Sequence, residues 1–509
     1  MKKSILNVLR YLRYLIILLV LATFTAIFSG FILHNQQIIQ ATEVQFLPAV
    51  LTAIGLGGMT AVGVMIFFAV LTAFFGRLYC SWCCPLGLLQ EVIERLDRWI
   101  FRKKERQYRP GHPVFRVAFF VFSTVSMLCG ISLFIGYFEP YSLFGKISSS
   151  IVRHLLTLLN VNTVKMPQSA LEHTTAWSIA LGIYGGFLLA LTLLVILKGR
   201  IFCNTLCPAG AILAFITAKS KRRLTIDKDK CVKCGKCEKS CNAHCIDIKN
   251  SQKIDFTRCF MCLECVRVCP VDAIRCTRRA PHEIDMPAAP ELRNMLIAAG
   301  VTAAATATAG VLGKKTSGKI TGIVPPGAGS TEEFLKRCTG CGLCIANCRG
   351  DCLQPATTEY SWRGFMLPVM KFTGTHPGKC EYECNNCTAN CPTGALKQLT
   401  LAEKKVCRIG MAHFFPKNCV AYADGEPCGA CAEHCPTGAL QMVKGPHKFA
   451  TIPKVIPDLC IGCGNCQFAC PVTPQAIQVH SVNKQTRATS PEEYHKKEEV
   501  KQAPSSIPF

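Results

Sequence analysis

Apolar residues dominate four long stretches of the first two hundred positions, at about Tyr14 to Leu33, Ala49 to Phe75, Val114 to Phe134 and Ile179 to Leu197. Each is close to the roughly 20 residues a helix needs to cross the hydrocarbon core of a bilayer. The first runs on into His-Asn-Gln-Gln rather than a small-residue cleavage site, so it reads as a span and not as a removed signal. A fifth stretch, Met295 to Leu312, reads MLIAAGVTAAATATAGVL. Its length just suffices to span, although Ala and Thr make it only mildly hydrophobic.

Charge orients these spans. The chain has 509 residues and a formal charge of +25, with half of its residues apolar. The basic excess sits in loops beside the apolar runs, as the positive-inside rule expects, so it reads as topology and not as a nucleic-acid surface. The N-terminal MKKSILNVLRYLRY is basic, residues 35–48 carry no Lys or Arg, Arg77 to Arg116 carries nine, residues 137–176 carry three, and KSKRR follows Lys198. Four spans with both ends in the cytoplasm fit this asymmetry.

The 34 cysteines change the picture most. Most fall in tight C-x2-C runs, whose members bridge one another poorly but converge readily on one metal centre. A [4Fe–4S] cube takes three thiolates from a short loop and, in the two-cluster bacterial pattern, a fourth from the partner run. CVKCGKCEKSC and CFMCLECVRVCP follow that pattern. It places Cys231, Cys234, Cys237 and Cys269 on one cluster, and Cys259, Cys262, Cys265 and Cys241 on the other.

Four further runs follow residue 337, and CPTGAL occurs at both 391–396 and 435–440. Pairing outer with outer and inner with inner gives a nested arrangement: Cys338, Cys341, Cys344 with Cys470; Cys460, Cys463, Cys466 with Cys348; Cys380, Cys384, Cys387 with Cys435; and Cys419, Cys428, Cys431 with Cys391. Six clusters result. Cys407 competes for the last set, and Cys245 and Cys352, each beside a run, are either bystanders or substitutes for Cys241 and Cys348.

A separate duplication reads Gly-Arg-x-x-Cys-x3-Cys-Pro-x-Gly, in GRLYCSWCCPLG after the second span and GRIFCNTLCPAG after the fourth. Both copies fall at the cytoplasmic face. Cys80, Cys84, Cys203 and Cys207 therefore make a candidate additional site, as ligands of a metal or an iron–sulfur cluster or as redox thiols. The histidines lie in loops or at span ends, and no Cys-x-x-Cys-His, Walker loop or Gly-x-Gly-x-x-Gly occurs, so haem and nucleotide chemistry are not indicated.

The fold class expected is a membrane α-helical four-span module, with a fifth candidate span, joined to two ferredoxin-like α+β iron–sulfur domains. The segments are 1–220 (spans and twin motifs), 221–285 (two clusters), 290–313 (fifth stretch), 314–330 (linker), 331–482 (four clusters) and a polar tail, 483–509.

The first 276 residues, with four spans, the motifs at Cys80–Pro85 and Cys203–Pro208 and a two-cluster region, resemble the NapH-type membrane ferredoxins of periplasmic nitrate reductase systems. Modules of NosR and CcoG are related. Residues 331–482 resemble NapG-type four-cluster ferredoxins, so the chain is similar to the two fused end to end. The resemblance implies an electron-transfer component rather than a stand-alone enzyme, in a prokaryotic cytoplasmic membrane. Its partners would be quinone or quinol and an oxidoreductase or cytochrome, and CcoG allows an alternative role in metalloenzyme maturation. Residues 221–285 would be cytoplasmic. Residues 331–482 would be extracytoplasmic, although the twin-arginine export of NapG-type proteins finds only Arg293 before the fifth stretch, with Arg278–Arg279 well upstream.

Overall fold

The computed structural model describes residues 3–30, 44–56, 58–100, 107–159, 175–278, 289–315, 320–374, 377–447 and 450–502. The chain forms two compact units, one mainly from residues before 316 and one mainly from residues after it.

Among the described residues three helices are long and apolar enough to cross a membrane, over Ile5–Phe28, Trp177–Lys198 and Pro290–Val311. They belong to α1 (Lys3–Phe28), α7 (Thr175–Lys198) and α11 (Ala289–Lys315). The fifth apolar stretch is thus part of a 27-residue helix. It packs along α5 (Pro113–Leu128), where a Cβ on Gly310 would come within 2.7 Å of Cys129 Cβ.

The stretch expected to be a second span is not a single helix. It divides into α2 (Phe46–Leu56) and α3 (Met59–Phe75). Phe46, at the start of α2, packs against Phe68 in α3 and against Tyr79 beyond it, so the two helices run antiparallel. Gly58 lies in the break, and a glycine costs a helix backbone entropy and has no side chain to pack. The third stretch also shortens. α5 ends at Leu128, and α6 (Leu133–Phe138) folds back along it, with Phe134 on Phe122 and Phe138 on Phe119.

After α7, helix α8 (Pro208–Thr217) leads into a small cysteine-rich region. There β1 (Arg222–Ile226) pairs antiparallel with β4 (Ile274–Arg278), and β2 (Ile246–Asp247) pairs with β3 (Lys253–Ile254). Two single-turn helices, α9 (Lys236–Ser240) and α10 (Glu264–Val268), pack together.

The second unit repeats this economy of structure. Its hairpins pair β5 (Leu353–Pro355) with β6 (Pro368–Met370), and β8 (Leu440–Lys444) with β9 (Thr451–Val455). A longer ladder joins β7 (Cys407–Phe414) to β10 (Ile477–Arg487). Ile477 and Val479, two apart, face one side of β10 and enter a core with Ile409, Ala412, Leu440 and Leu459.

Candidate iron–sulfur sites

The regular cysteine runs share one backbone device. The second and fourth residues after the first cysteine are left-handed: Lys233 and Gly235, Met261 and Leu263, Gly340 and Gly342, Gly462 and Gly464. Alternating left-handed residues curl the loop, so that its thiols face inward. Lys233, Met261 and Leu263 adopt this conformation at a cost of about 1–2 kcal/mol each, strain of the kind that collects at functional sites.

In the first unit, one small cavity is lined by Cys231, Cys234, Cys237 and Cys269. A second is lined by Cys241, Cys259, Cys262 and Cys265, together with Cys245. These groupings coincide with the two sets read from the sequence.

The second unit groups its cysteines differently from the nested reading. Cys460, Cys463 and Cys466 line a cavity with Cys435, not Cys348. Cys387 neighbours Cys380, Cys348 and Cys384, and burial with these neighbours pushes its thiol well up. Cys431 is raised to about 11 by burial beside Cys428, Cys470 and Cys419. Cys391 packs on the apolar cluster that contains Cys338. The units are therefore consecutive, run–hairpin–run, as in residues 231–269. The β5–β6 hairpin folds the 380–391 run onto 338–348, and β8–β9 folds 460–470 onto 419–435. Cys407 donates instead to Gln485 Oε1 at 3.7 Å.

The twin motifs come together as one site. Cys80, Cys84, Cys203 and Cys207 are all about 95% buried. Cys84 is raised by burial and then by Cys80, Cys203 and Cys207, whereas Cys83 has only Cys80 as a cysteine neighbour. The two halves are built alike. Gly76 and Gly199 are left-handed. The amides of Cys84 and Cys207 donate to Tyr79 O and Phe202 O. A Cβ on Gly87 would lie 2.4 Å from Cys80 O, and one on Gly210 would lie 2.2 Å from Cys203 O, so only glycine lets the next helix pack this closely.

The arginines of the motifs brace the halves crosswise. Arg77 Nη2 donates to Cys203 O at 2.8 Å, and Arg200 Nη1 donates to Cys80 O at 3.4 Å. Both guanidiniums lie over the ring of Phe260, at 4.8 and 5.1 Å, and Ser81 Oγ donates to Phe260 O at 2.7 Å. Phe260 follows Cys259 directly, so the loop of one cysteine set is clamped between the twin motifs. The duplicated Gly-Arg was visible in the sequence, but nothing local indicated that each arginine serves the opposite copy.

Glu91 completes the clamp. It accepts from Arg200 at 2.5 Å and also from Arg13 and Arg95. Burial alone would raise its carboxyl, but Arg200, Arg13 and Arg95 outweigh that and hold it below its usual value of 4.5. Its contribution to stability is therefore present above that value and is lost as pH falls through the lower folded one. Glu91→Gln leaves Arg13 and Arg200 buried without their carboxylate, and thermal unfolding in detergent is expected to show a loss of about 3–5 kcal/mol.

The donor sets fit iron–sulfur clusters. Each is made of thiols alone. Among the described residues no three His, Cys, Asp or Glu side chains close to single-ion distance. Thiols lining a cavity, rather than meeting at a point, suit a cube. Beside the twin motifs, Arg77 and Arg200 are fully buried, and each reaches a cysteine carbonyl of the opposite copy. Two buried guanidiniums suit an anionic four-thiolate centre between them.

A larger cavity of about 1110 Å³ adjoins the second motif. Ile201, Asn204 and Thr205 of that motif line it, along with Phe120, Phe215, Met295 and Leu296 from the apolar helices and Arg116 and His112 at its polar end.

Comparison with known proteins finds iron–sulfur families along the chain. A family described as 4Fe-4S binding domain matches residues 57–106 and 179–227, which hold the twin motifs. A 4Fe-4S dicluster domain matches 230–273 and 426–474, and another 4Fe-4S binding domain matches 335–351. The chain is 25% identical over 218 residues to the putative electron transport protein YccM of Escherichia coli, covering 41% of this chain and about half, 52%, of YccM. It is 29% identical over 155 residues to the ferredoxin-type protein NapF of the same organism, covering 30% of this chain and 82% of NapF. It is 31% identical over 199 residues to the methylamine utilization ferredoxin-type protein MauM of Methylorubrum extorquens, covering 37% of this chain and 86% of MauM. With its repeated 4Fe-4S domains, the chain belongs to the ferredoxin-type iron–sulfur proteins to which MauM belongs.

Proposed function

We propose that this protein is a membrane-bound polyferredoxin that carries single electrons between the quinone pool, or a soluble carrier, and a partner oxidoreductase. The observation that supports the reading is the gathering of cysteines around small cavities, such as Cys231, Cys234, Cys237 and Cys269, and we read six four-cysteine sets in three consecutive pairs. Bound clusters would supply one-electron redox chemistry at each set.

We read the order of the sets from the chain's own residues. In the second unit the sets run 338/341/344/391, then 380/384/387/348, then 460/463/466/435, then 419/428/431/470. The middle step is bridged by the Cys380 amide donating to Cys463 O at 3.0 Å. In the first unit, Phe260 and its two arginines connect the set at Cys259, Cys262, Cys265 and Cys241 to the twin motifs, which would hold a seventh centre. The large cavity beside Asn204 and Thr205 offers a quinone ring an apolar wall and polar donors next to that centre. We place residues 221–285 on the cytoplasmic side of a prokaryotic cytoplasmic membrane. α11 then carries residues 331–482 across it, in the manner of a NapH-type module fused to a NapG-type one.

Protein purified anaerobically should hold about 24 iron atoms in the six sets and about 4 more at the twin motifs. About eight in all, or zinc in place of iron, would overturn the reading. In sealed spheroplasts, external protease should remove residues 331–482. Their complete protection, with lysed controls digested, would defeat the crossing.

A further inference from the structure

Two cysteines stand outside the four-thiol sets yet touch them. Cys245 is 1% exposed, and its Sγ lies 3.6 Å from Cys241 Sγ; Cys259 is its other sulfur partner. Cys352 is 2% exposed, and its Sγ lies 3.8 Å from Cys348 Sγ; Cys380 is its other partner. The positions are equivalent. Each follows the fourth cysteine of a run by four residues, and each touches the fourth cysteine of that run and the first of the next. Those two sulfurs belong to a single set in both cases: Cys241 and Cys259 in one, Cys348 and Cys380 in the other. At the matching place after Cys269, Cys391 and Cys435 the chain has Ala273, Ala395 and Ala439. The backbone therefore accepts alanine there, and packing does not require a thiol.

We propose that Cys245 and Cys352 are thiol hydrogen-bond donors to cluster ligands, one in each unit, and that each raises the reduction potential of its cluster. The proposal rests on the iron–sulfur reading above. A cube has four irons and takes four thiolates, so the fifth sulfur of each cavity keeps its proton. Buried against two sulfurs, that S–H has acceptors within reach, and a buried donor seeks a partner. A hydrogen bond to a ligand sulfur draws charge off the cluster and stabilises its reduced, more negative state. The Cys245 cavity is also lined by Arg200, Glu91 and Phe260, so the tuned cluster is the one against the twin motifs. An electron arriving there is held before it moves on.

The test is a redox titration followed by electron paramagnetic resonance on full-length protein, comparing wild type with Cys245→Ala and Cys352→Ala. Iron content should be unchanged, and in each variant one cluster should titrate at a more negative potential. Cys245→Ser and Cys352→Ser, which keep a donor, should recover part of the shift. Loss of about four irons from an alanine variant would make that cysteine a ligand and overturn the proposal. Full iron with an unmoved potential would also overturn it. Wild-type protein without iron would instead remove the reading beneath it.

Discussion

Serine at Cys80, Cys84, Cys203 or Cys207 is expected to give one shared defect. Each variant should lose the same complement of about four iron atoms and leave the other clusters intact. Electron transfer from a quinol analogue to the 231–269 region should fall at least about 100-fold. All four thiols sit at about 5% exposure or less, and the two copies are tied by the crossed arginine contacts, so no copy holds a complete site by itself. A double variant, Cys80→Ser with Cys203→Ser, should be no worse than either single change, because residues of one site act as a unit. Cys83→Ser should retain both iron and activity. Additive losses from the two copies would mean two independent sites, and a silent Cys84→Ser beside an inactive Cys83→Ser would shift the motif register by one residue.

The second large effect distinguishes consecutive from nested pairing after residue 337. Cys435→Ser and Cys463→Ser should remove the same cluster, and combining them should cost no further iron. Cys348→Ser with Cys463→Ser should cost two clusters, about eight irons. Nested pairing predicts the opposite pattern, with Cys348 and Cys463 non-additive. Iron analysis with resonance spectra of the single variants and the two double variants decides between them, since signals from one lost cluster and from two differ in integrated spin.

Much of this protein was legible in the order of its residues. A C-x2-C-x2-C run is nearly a site by itself, because three ligands of a cube lie within seven residues, and the left-handed positions between them are local properties of the loop. The six runs, the duplicated Gly-Arg-x-x-Cys-x3-Cys-Pro motif and the helical nature of the fifth apolar stretch therefore followed from local pattern. The fourth ligand of each set is not local. Whether Cys435 serves the run at 380 or the run at 460 depends on which hairpin folds which run back, and the strands responsible are only three to five residues long. Hydrophobicity likewise reports burial or lipid contact but not direction, so one apolar run concealed the antiparallel pair α2 and α3 despite its Gly57-Gly58. The crossed arginines, Glu91 among its three guanidiniums and Phe260 between the twin motifs join residues up to about 250 positions apart, as does Arg13 to Cys262 O. Only the tertiary structure decided those contacts, because a buried charge is stabilised by whatever partner the fold brings within reach, and sequence spacing carries no record of that partner.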